Sequence, residues 1–116
     1  MFLYAVICLT IAALFGLYMA VGHFKGRSPP PTAAAVFHGL FAVAGVLLLL
    51  FGVLQTGWGT VHSWALILFV VAALGGLYLV SHHVRGVPLP SPVVVIHGLV
   101  AAVAFLILVS AVFLIA

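Results

Sequence analysis

The sequence contains no aspartate and no glutamate, and only three of its 116 residues are lysine or arginine. Without carboxylate side chains, the chain cannot form a paired-carboxylate hydrolase, an aspartate-assisted triad, an EF-hand or a carboxylate proton relay. A net charge of +3 is too small for a nucleic-acid-binding surface, so we expect no nucleic-acid partner. The single cysteine, Cys8, excludes a disulfide within the chain.

The chain is very rich in apolar residues. Hydrophobic residues make up 68% of the chain and charged residues 3%, whereas soluble domains carry about 25% charged residues. A membrane-spanning helix needs about 20 apolar residues. Four stretches meet this requirement, at residues 2–22, 33–54, 61–81 and 92–116. The composition therefore predicts one all-α transmembrane domain over residues 1–116, built as a four-helix bundle in the lipid bilayer. The first stretch lacks a charged leading region, so we expect a structural span and not a signal peptide.

The basic residues predict the orientation of the bundle. Lys25 and Arg27 lie between the first and second spans, and Arg85 lies between the third and fourth. By the positive-inside rule, both of these loops are cytoplasmic, and both termini and the loop at 55–60 face outward. Trp58 and Trp64 then fall where an outer aromatic belt is expected. We expect this arrangement in a bacterial inner membrane.

The two halves of the chain are related in sequence. Residues 12–26 align with 72–86, and residues 29–40 align with 88–99. The matched residues include several uncommon ones: Gly16 with Gly76, Tyr18 with Tyr78, His23 with His83, Gly26 with Gly86, and the triplet His-Gly-Leu at 38–40 with that at 97–99. The chain therefore contains two tandem helical-hairpin repeats, at 1–58 and 59–116. Because each repeat holds two spans, we expect a pseudo-two-fold axis along the membrane normal.

The repeated histidines are the strongest functional candidates. Ser91-Pro92 predicts a helix start with Ser91 as the N-cap, and Thr32 occupies the matching position in the first repeat. His38 and His97 then fall roughly 9 Å inside their helices at 1.5 Å per residue. His23 and His83 end the preceding spans, so we expect all four imidazoles to gather near the cytoplasmic side.

An ionisable residue inside a span is a functional candidate, and neutral imidazole is a common ligand of transition metals and haem iron. Small residues follow each deeper histidine on the same helix face, namely Gly45 and Gly52 on the second span and Ala101 and Ala104 on the fourth. A groove of this kind would accept a flat macrocycle. Small residues at this spacing are also the usual contacts of membrane helices that hold no ligand.

The four-span layout, together with His38, His97, His23 and His83, resembles the small b-type membrane cytochromes. This broad class includes cytochrome b561-like proteins and the haem-bearing anchors of respiratory enzymes. The resemblance implies a four-helix bundle in which histidines bind haem b at both axial positions and the haem transfers electrons. The larger b561 relatives hold two haems toward opposite membrane faces. This chain lacks matched histidines toward the outer side, which argues against a two-haem path across the membrane.

Several histidine pairings remain open. A single haem would use His38 with His97, which we favour because they lie deeper, or His23 with His83. Crossed pairing of His23 with His97 and of His83 with His38 would hold two haems. Pairs within one hairpin are too close for haem, since packed helix axes lie about 8–10 Å apart, but they could bind copper or zinc. The haem propionates would meet the three basic loop residues, although topology alone also explains those residues.

Three functions follow as hypotheses. The first is electron transfer by haem b, with a quinone or a redox protein as the partner. The second is an accessory or structural subunit of a larger membrane complex or homo-oligomer. The third is binding or transport of a transition metal along the histidines. We expect no autonomous catalysis, because no nucleophile–base pair or phosphate-binding loop is present.

The predicted orientation can be tested by cysteine labelling in a Cys8→Ala background. Gly57→Cys should react with a membrane-impermeant maleimide in intact cells, because the positive-inside rule places its loop outside. Ser28→Cys should react only after the membrane is permeabilised. The opposite pattern of labelling would show that the orientation is inverted.

Overall fold

The computed structural model describes residues 1–115, which form four α-helices. They are α1 (Phe2–Phe24), α2 (Thr32–Thr56), α3 (Val61–Arg85) and α4 (Ser91–Phe113). Helices of 23 to 25 residues are about 35–38 Å long at 1.5 Å per residue, more than the roughly 30 Å of a bilayer's hydrocarbon core. All four are long and apolar enough to cross a membrane. The predicted all-helical four-helix bundle is confirmed, and the molecule has the character of a membrane protein.

The helices extend beyond the apolar stretches of the sequence. The first and third continue to Phe24 and Arg85, because backbone hydrogen bonding does not stop where hydrophobicity falls. Arg85 was expected in a loop but ends α3, and its Nε donates to the carbonyl of Ser81 at 3.1 Å. The fourth helix ends at Phe113, earlier than expected; residue 116 lies outside the described residues.

The bundle consists of two helical hairpins. Most of the packing joins α1 to α2 and α3 to α4, and the hairpins meet along two smaller seams, α2 with α3 and α1 with α4. In this arrangement α2 and α4 are diagonal to each other across the bundle. The short connections force sequential helices to run antiparallel. Large apolar side chains such as Leu14, Leu40 and Leu77 remain more than 60% exposed, as expected of a surface that contacts lipid.

The two ends of the bundle are packed differently. One half of the bundle contains the starts of α1 and α3 and the ends of α2 and α4, and we call it the core half. Its interior holds the largest fully buried side chains of the described residues, Leu49, Leu108 and Val53. We call the opposite half the histidine half; its buried apolar residue is Ala34, and two further buried alanines, Ala12 and Ala72, lie at the middle of α1 and α3. The hydrophobic contacts that stabilise the bundle are therefore concentrated in the core half.

Two glycine turns follow the C-terminal ends of α1 and α3 in the histidine half. Gly26 and Gly86 have φ of 79° and 67°, the left-handed region that glycine adopts without steric cost. The Gly26 N–H donates to the carbonyl of His23, and the Gly86 N–H donates to the carbonyl of His83, each at 3.1 Å. The matched glycines of the sequence thus fix the backbone beside a matched pair of histidines.

The predicted N-caps of α2 and α4 are wrong by one residue. Thr32 and Ser91 are the first residues of their helices, and Pro31 and Pro90 are the caps, with no capping bond from a side chain. The physical reason is that both hydroxyls lie within reach of histidines from the other hairpin, as described below. By contrast, Thr60 does cap α3 and accepts a hydrogen bond from the Ser63 N–H at 3.4 Å.

Glycine at position 45 is required by close helix packing. A Cβ there would lie 2.5 Å from Leu9 Cγ, so we expect Gly45→Ala to lower the free energy of unfolding by about 1–3 kcal/mol. Gly39→Ala is the matched control, because a Cβ there meets nothing within 4 Å and alanine favours helix by up to about 1 kcal/mol. Unfolding in mixed detergent micelles, followed by circular dichroism, measures both. Equal losses in the two variants would contradict this packing.

Candidate functional site

The deepest histidines are held by backbone carbonyls of the facing helix in each hairpin. Nδ1 of His38 lies 2.7 Å from the carbonyl oxygen of Ala12, and Nδ1 of His97 lies 2.7 Å from that of Ala72. A carbonyl only accepts, so each Nδ1 carries the proton and donates. In a neutral imidazole this leaves Nε2 as an unprotonated nitrogen with a lone pair. Both rings are therefore oriented by the same kind of bond, which leaves Nε2 unprotonated in each.

Two glycines provide the space for these rings. A Cβ on Gly16 would lie 3.0 Å from His38 Cε1, and a Cβ on Gly76 would lie 3.1 Å from His97 Cε1. Both distances are tighter than ordinary contacts, so any larger side chain would push the imidazole away. The repeat had matched Gly16 with Gly76, but the sequence alone gave no reason to assign them to the histidines.

The two imidazoles meet across the diagonal of the bundle. The ring centroids of His38 and His97 are 6.2 Å apart, and the ring planes are nearly perpendicular at 81°. Both side chains are half-buried, and they come from α2 and α4, which belong to different hairpins. The pairing favoured from sequence is thus the pair that the bundle brings together.

The outer pair of histidines joins the hairpins reciprocally. His23 Nε2 lies 2.9 Å from the Ser91 hydroxyl, and His83 Nε2 lies 3.5 Å from the Thr32 hydroxyl. Each of these imidazoles thus contacts the first residue of the second helix in the other hairpin. The other ring nitrogen, Nδ1, is buried in both residues and has no hydrogen-bond partner among the described residues. Buried polar atoms are normally satisfied, so this matched pair of unpartnered nitrogens is unusual.

The four histidines form two levels in the histidine half: His38 and His97 form the inner level, and His23 and His83 form the outer level. Gly16 and Gly76 contact the inner level, and His23 and His83 lie seven residues further along the same helices. At 1.5 Å per residue, the outer level is about 10 Å closer to the loops. The three basic residues, Lys25, Arg27 and Arg85, are exposed at this same end.

The small residues predicted to line a groove are engaged in packing. A Cβ on Gly45 would meet Leu9, and a Cβ on Gly52 would lie 2.5 Å from the ring of Phe2. Ala104 is fully buried in the hydrophobic core, whereas Ala101 is half-buried. The space at these two glycines is therefore taken by side chains of α1.

The remaining histidines have separate surroundings. His62 lies in the core half and stacks on Phe2, with ring centroids 3.8 Å apart. His82 donates from Nδ1 to the Tyr78 carbonyl at 2.9 Å on its own helix. Neither joins the four matched histidines, in agreement with their lack of support from the repeat.

No group of three or more histidine, cysteine or acidic side chains is arranged to hold a metal ion within residues 1–115. The inner level consists of two imidazoles, those of His38 and His97. Comparisons of the chain with protein-family models, with curated proteins and with solved structures gave no match. The geometry of the histidines is therefore the basis for assigning a function.

The hydrogen bonds to backbone carbonyl oxygens predict the tautomer of both inner histidines. Solid-state nitrogen NMR of the ligand-free protein should show neutral His38 and His97 with the proton on Nδ1, because the Ala12 and Ala72 carbonyls can only accept. Gly16→Val should alter the His38 signal, because the added side chain displaces the ring, whereas Gly39→Ala should leave it unchanged. A proton on Nε2 in both residues would contradict the hydrogen bonds described here.

Proposed function

We propose that this protein is a membrane-embedded b-type haem protein that transfers electrons, with His38 and His97 as the two axial ligands. The observation that carries the proposal is the paired geometry of these imidazoles. Each donates from Nδ1 to a carbonyl and leaves Nε2 for a metal, the arrangement usual for metal-bound histidine.

The separation of the rings suits a single iron atom between them. A metal–nitrogen bond of about 2 Å places each ring centroid roughly 3 Å from the metal, or about 6 Å between centroids across it. The observed 6.2 Å matches this sum. The two imidazoles of the inner level would therefore suit ligation of one metal atom between them.

The number of ligands favours an iron porphyrin over a bare metal ion. Structural zinc takes four protein ligands, and transition-metal sites in general recruit several side chains. An iron porphyrin already has four nitrogen ligands and needs only two from the protein. The described residues offer two imidazoles at the inner level and no cluster of three, so haem suits this site better than copper or zinc.

The packing of the histidine half also supports a bound macrocycle. The buried apolar residues in this half and at the middle of the bundle are alanines, and glycines face both inner rings, whereas Leu49, Leu108 and Val53 fill the core half. We propose that a cofactor occupies the histidine half alone. Gly45, Gly52 and Ala104 would then contribute indirectly, by packing the helices below the site.

The residues of the chain have defined roles in this proposal. His38 and His97 would hold the iron through their Nε2 atoms, and ligation by two histidines would favour electron transfer over binding of oxygen or a substrate. The carbonyls of Ala12 and Ala72 fix the tautomer and orientation of the rings. When bound, haem supplies a one-electron iron couple. The expected electron partner is a quinone or a redox protein in the same membrane.

We further propose that the hairpins are related by a pseudo-two-fold axis along the membrane normal, with the basic loops in the cytoplasm. Three sets of matched contacts support this symmetry: the two carbonyl bonds, the two glycine contacts and the two histidine–hydroxyl contacts. A symmetric bundle would place the two axial ligands in equivalent positions on either side of one iron.

An absorption spectrum tests the proposed function. Protein purified from haem-replete cells should show sharp reduced α and β bands, which His38→Ala and His97→Ala should each abolish by removing an axial ligand. His62→Ala and His82→Ala are matched controls that should retain the bands, because neither residue contacts the inner pair. A folded wild-type protein that binds no haem, even after addition of ferric haem to the purified chain, would overturn the proposal.

A further inference from the structure

His23 and His83 form a second, unassigned feature of the histidine half. Their Nε2 atoms contact hydroxyls of the opposite hairpin, but both Nδ1 atoms are buried without a hydrogen-bond partner. A buried polar group left unpaired is destabilising, so two such atoms at matched positions indicate that something else satisfies them. The missing partner would have to reach both imidazoles at the basic end of the bundle.

The chemistry of that partner follows from the surroundings. A Ser91 or Thr32 hydroxyl can donate to Nε2, which leaves the proton on Nδ1 and makes that atom a donor. A donor requires an acceptor, and charged acceptors give the stronger hydrogen bonds. The chain has no carboxylate side chain, and its three basic residues all lie at this end. The site therefore suits carboxylates that are brought in by a ligand.

The spacing of the two histidine levels relates this site to the inner one. The outer level lies about 10 Å closer to the loops than the inner pair, at 1.5 Å per residue. A porphyrin carries two propionate carboxylates on one edge, at a comparable distance from its central metal. One molecule could therefore reach both levels at once.

We propose that His23 and His83 bind the two propionates of the porphyrin, each donating from Nδ1 to one carboxylate. This inference rests on the proposed function, since it assumes that a porphyrin occupies the histidine half. It assigns the propionates to the buried imidazoles and leaves Lys25, Arg27 and Arg85 to add only long-range attraction from the surface. Ser91 and Thr32 act as positioning residues that orient the imidazoles.

The test separates carboxylate binding from iron ligation. Metal-free protoporphyrin IX and its dimethyl ester are titrated into the full-length purified protein, and binding is followed by porphyrin fluorescence. The ester removes both charges, and the absence of iron removes axial ligation. Two charge-assisted hydrogen bonds should make the diacid bind at least about tenfold more tightly than the ester.

Variants assign this preference to residues. His23→Leu/His83→Leu should reduce the diacid preference to less than about threefold, because two charge-assisted hydrogen bonds are lost. His23→Asn/His83→Asn should keep part of it, because an amide nitrogen replaces Nδ1, and it also serves if the leucine variant fails to fold. His82→Leu changes the adjacent, half-buried histidine, which bonds only to its own helix, so this variant should keep the full preference and is the matched control.

The outcomes distinguish this inference from the proposed function. If the wild type binds ferric haem through His38 and His97 but the leucine and asparagine variants keep the full diacid preference, the carboxylate assignment alone is wrong. If the wild type shows no preference for the diacid, the assignment is wrong as well. If the wild type binds neither ferric haem nor protoporphyrin, the proposed function and this inference both fail.

Discussion

The site depends on two hydrogen bonds from imidazole Nδ1 to backbone carbonyls. His38 and His97 each donate to a carbonyl of the neighbouring helix at 2.7 Å, and a glycine beside each ring admits the approach. In an apolar bundle without acidic side chains, a carbonyl is the acceptor always present, because the backbone provides one at every residue. These bonds determine which nitrogen carries the proton, and hence which nitrogen is left for a ligand. The 6.2 Å spacing of the rings follows from bonds made within each hairpin and from how the hairpins meet.

The large buried side chains and the four matched histidines lie at opposite ends of the bundle. The core half contains the large buried side chains and the tight glycine contacts at Gly45 and Gly52. The histidine half contains one buried alanine, Ala34, four imidazoles and all three lysine and arginine residues. The contacts that hold the helices in register are therefore concentrated at the end away from the histidines. Small residues accordingly have different neighbours in the two halves. Gly45 and Gly52 pack against apolar side chains in the core half, whereas Gly16 and Gly76 make room for imidazoles in the histidine half.

The helices and the histidine pairing were predictable because both depend on local or repeated features. Apolar length defines a span whatever its neighbours, and the repeated His-Gly-Leu triplet identified His38 with His97. The partners of the side chains were less predictable, because they depend on how each helix is rotated against the next. Ser91 and Thr32 have the composition of helix caps, yet their hydroxyls contact histidines from the other hairpin. Gly45 and Gly16 both lie within apolar spans, but Leu9 packs against Gly45 whereas the imidazole of His38 packs against Gly16.

The reciprocal contacts of the outer histidines have a consequence for how such a bundle arises. His23 contacts Ser91 and His83 contacts Thr32, so the outer histidine of each hairpin has its hydroxyl partner in the other hairpin. Each hairpin offers one imidazole and one hydroxyl, and the partner hairpin supplies the complements. The two contacts are of the same type and run in both directions between the hairpins, as contacts across an isologous homodimer interface do. A single ancestral hairpin that paired with its own copy would already possess every one of these contacts, and fusion of the two copies would then have left each half free to diverge.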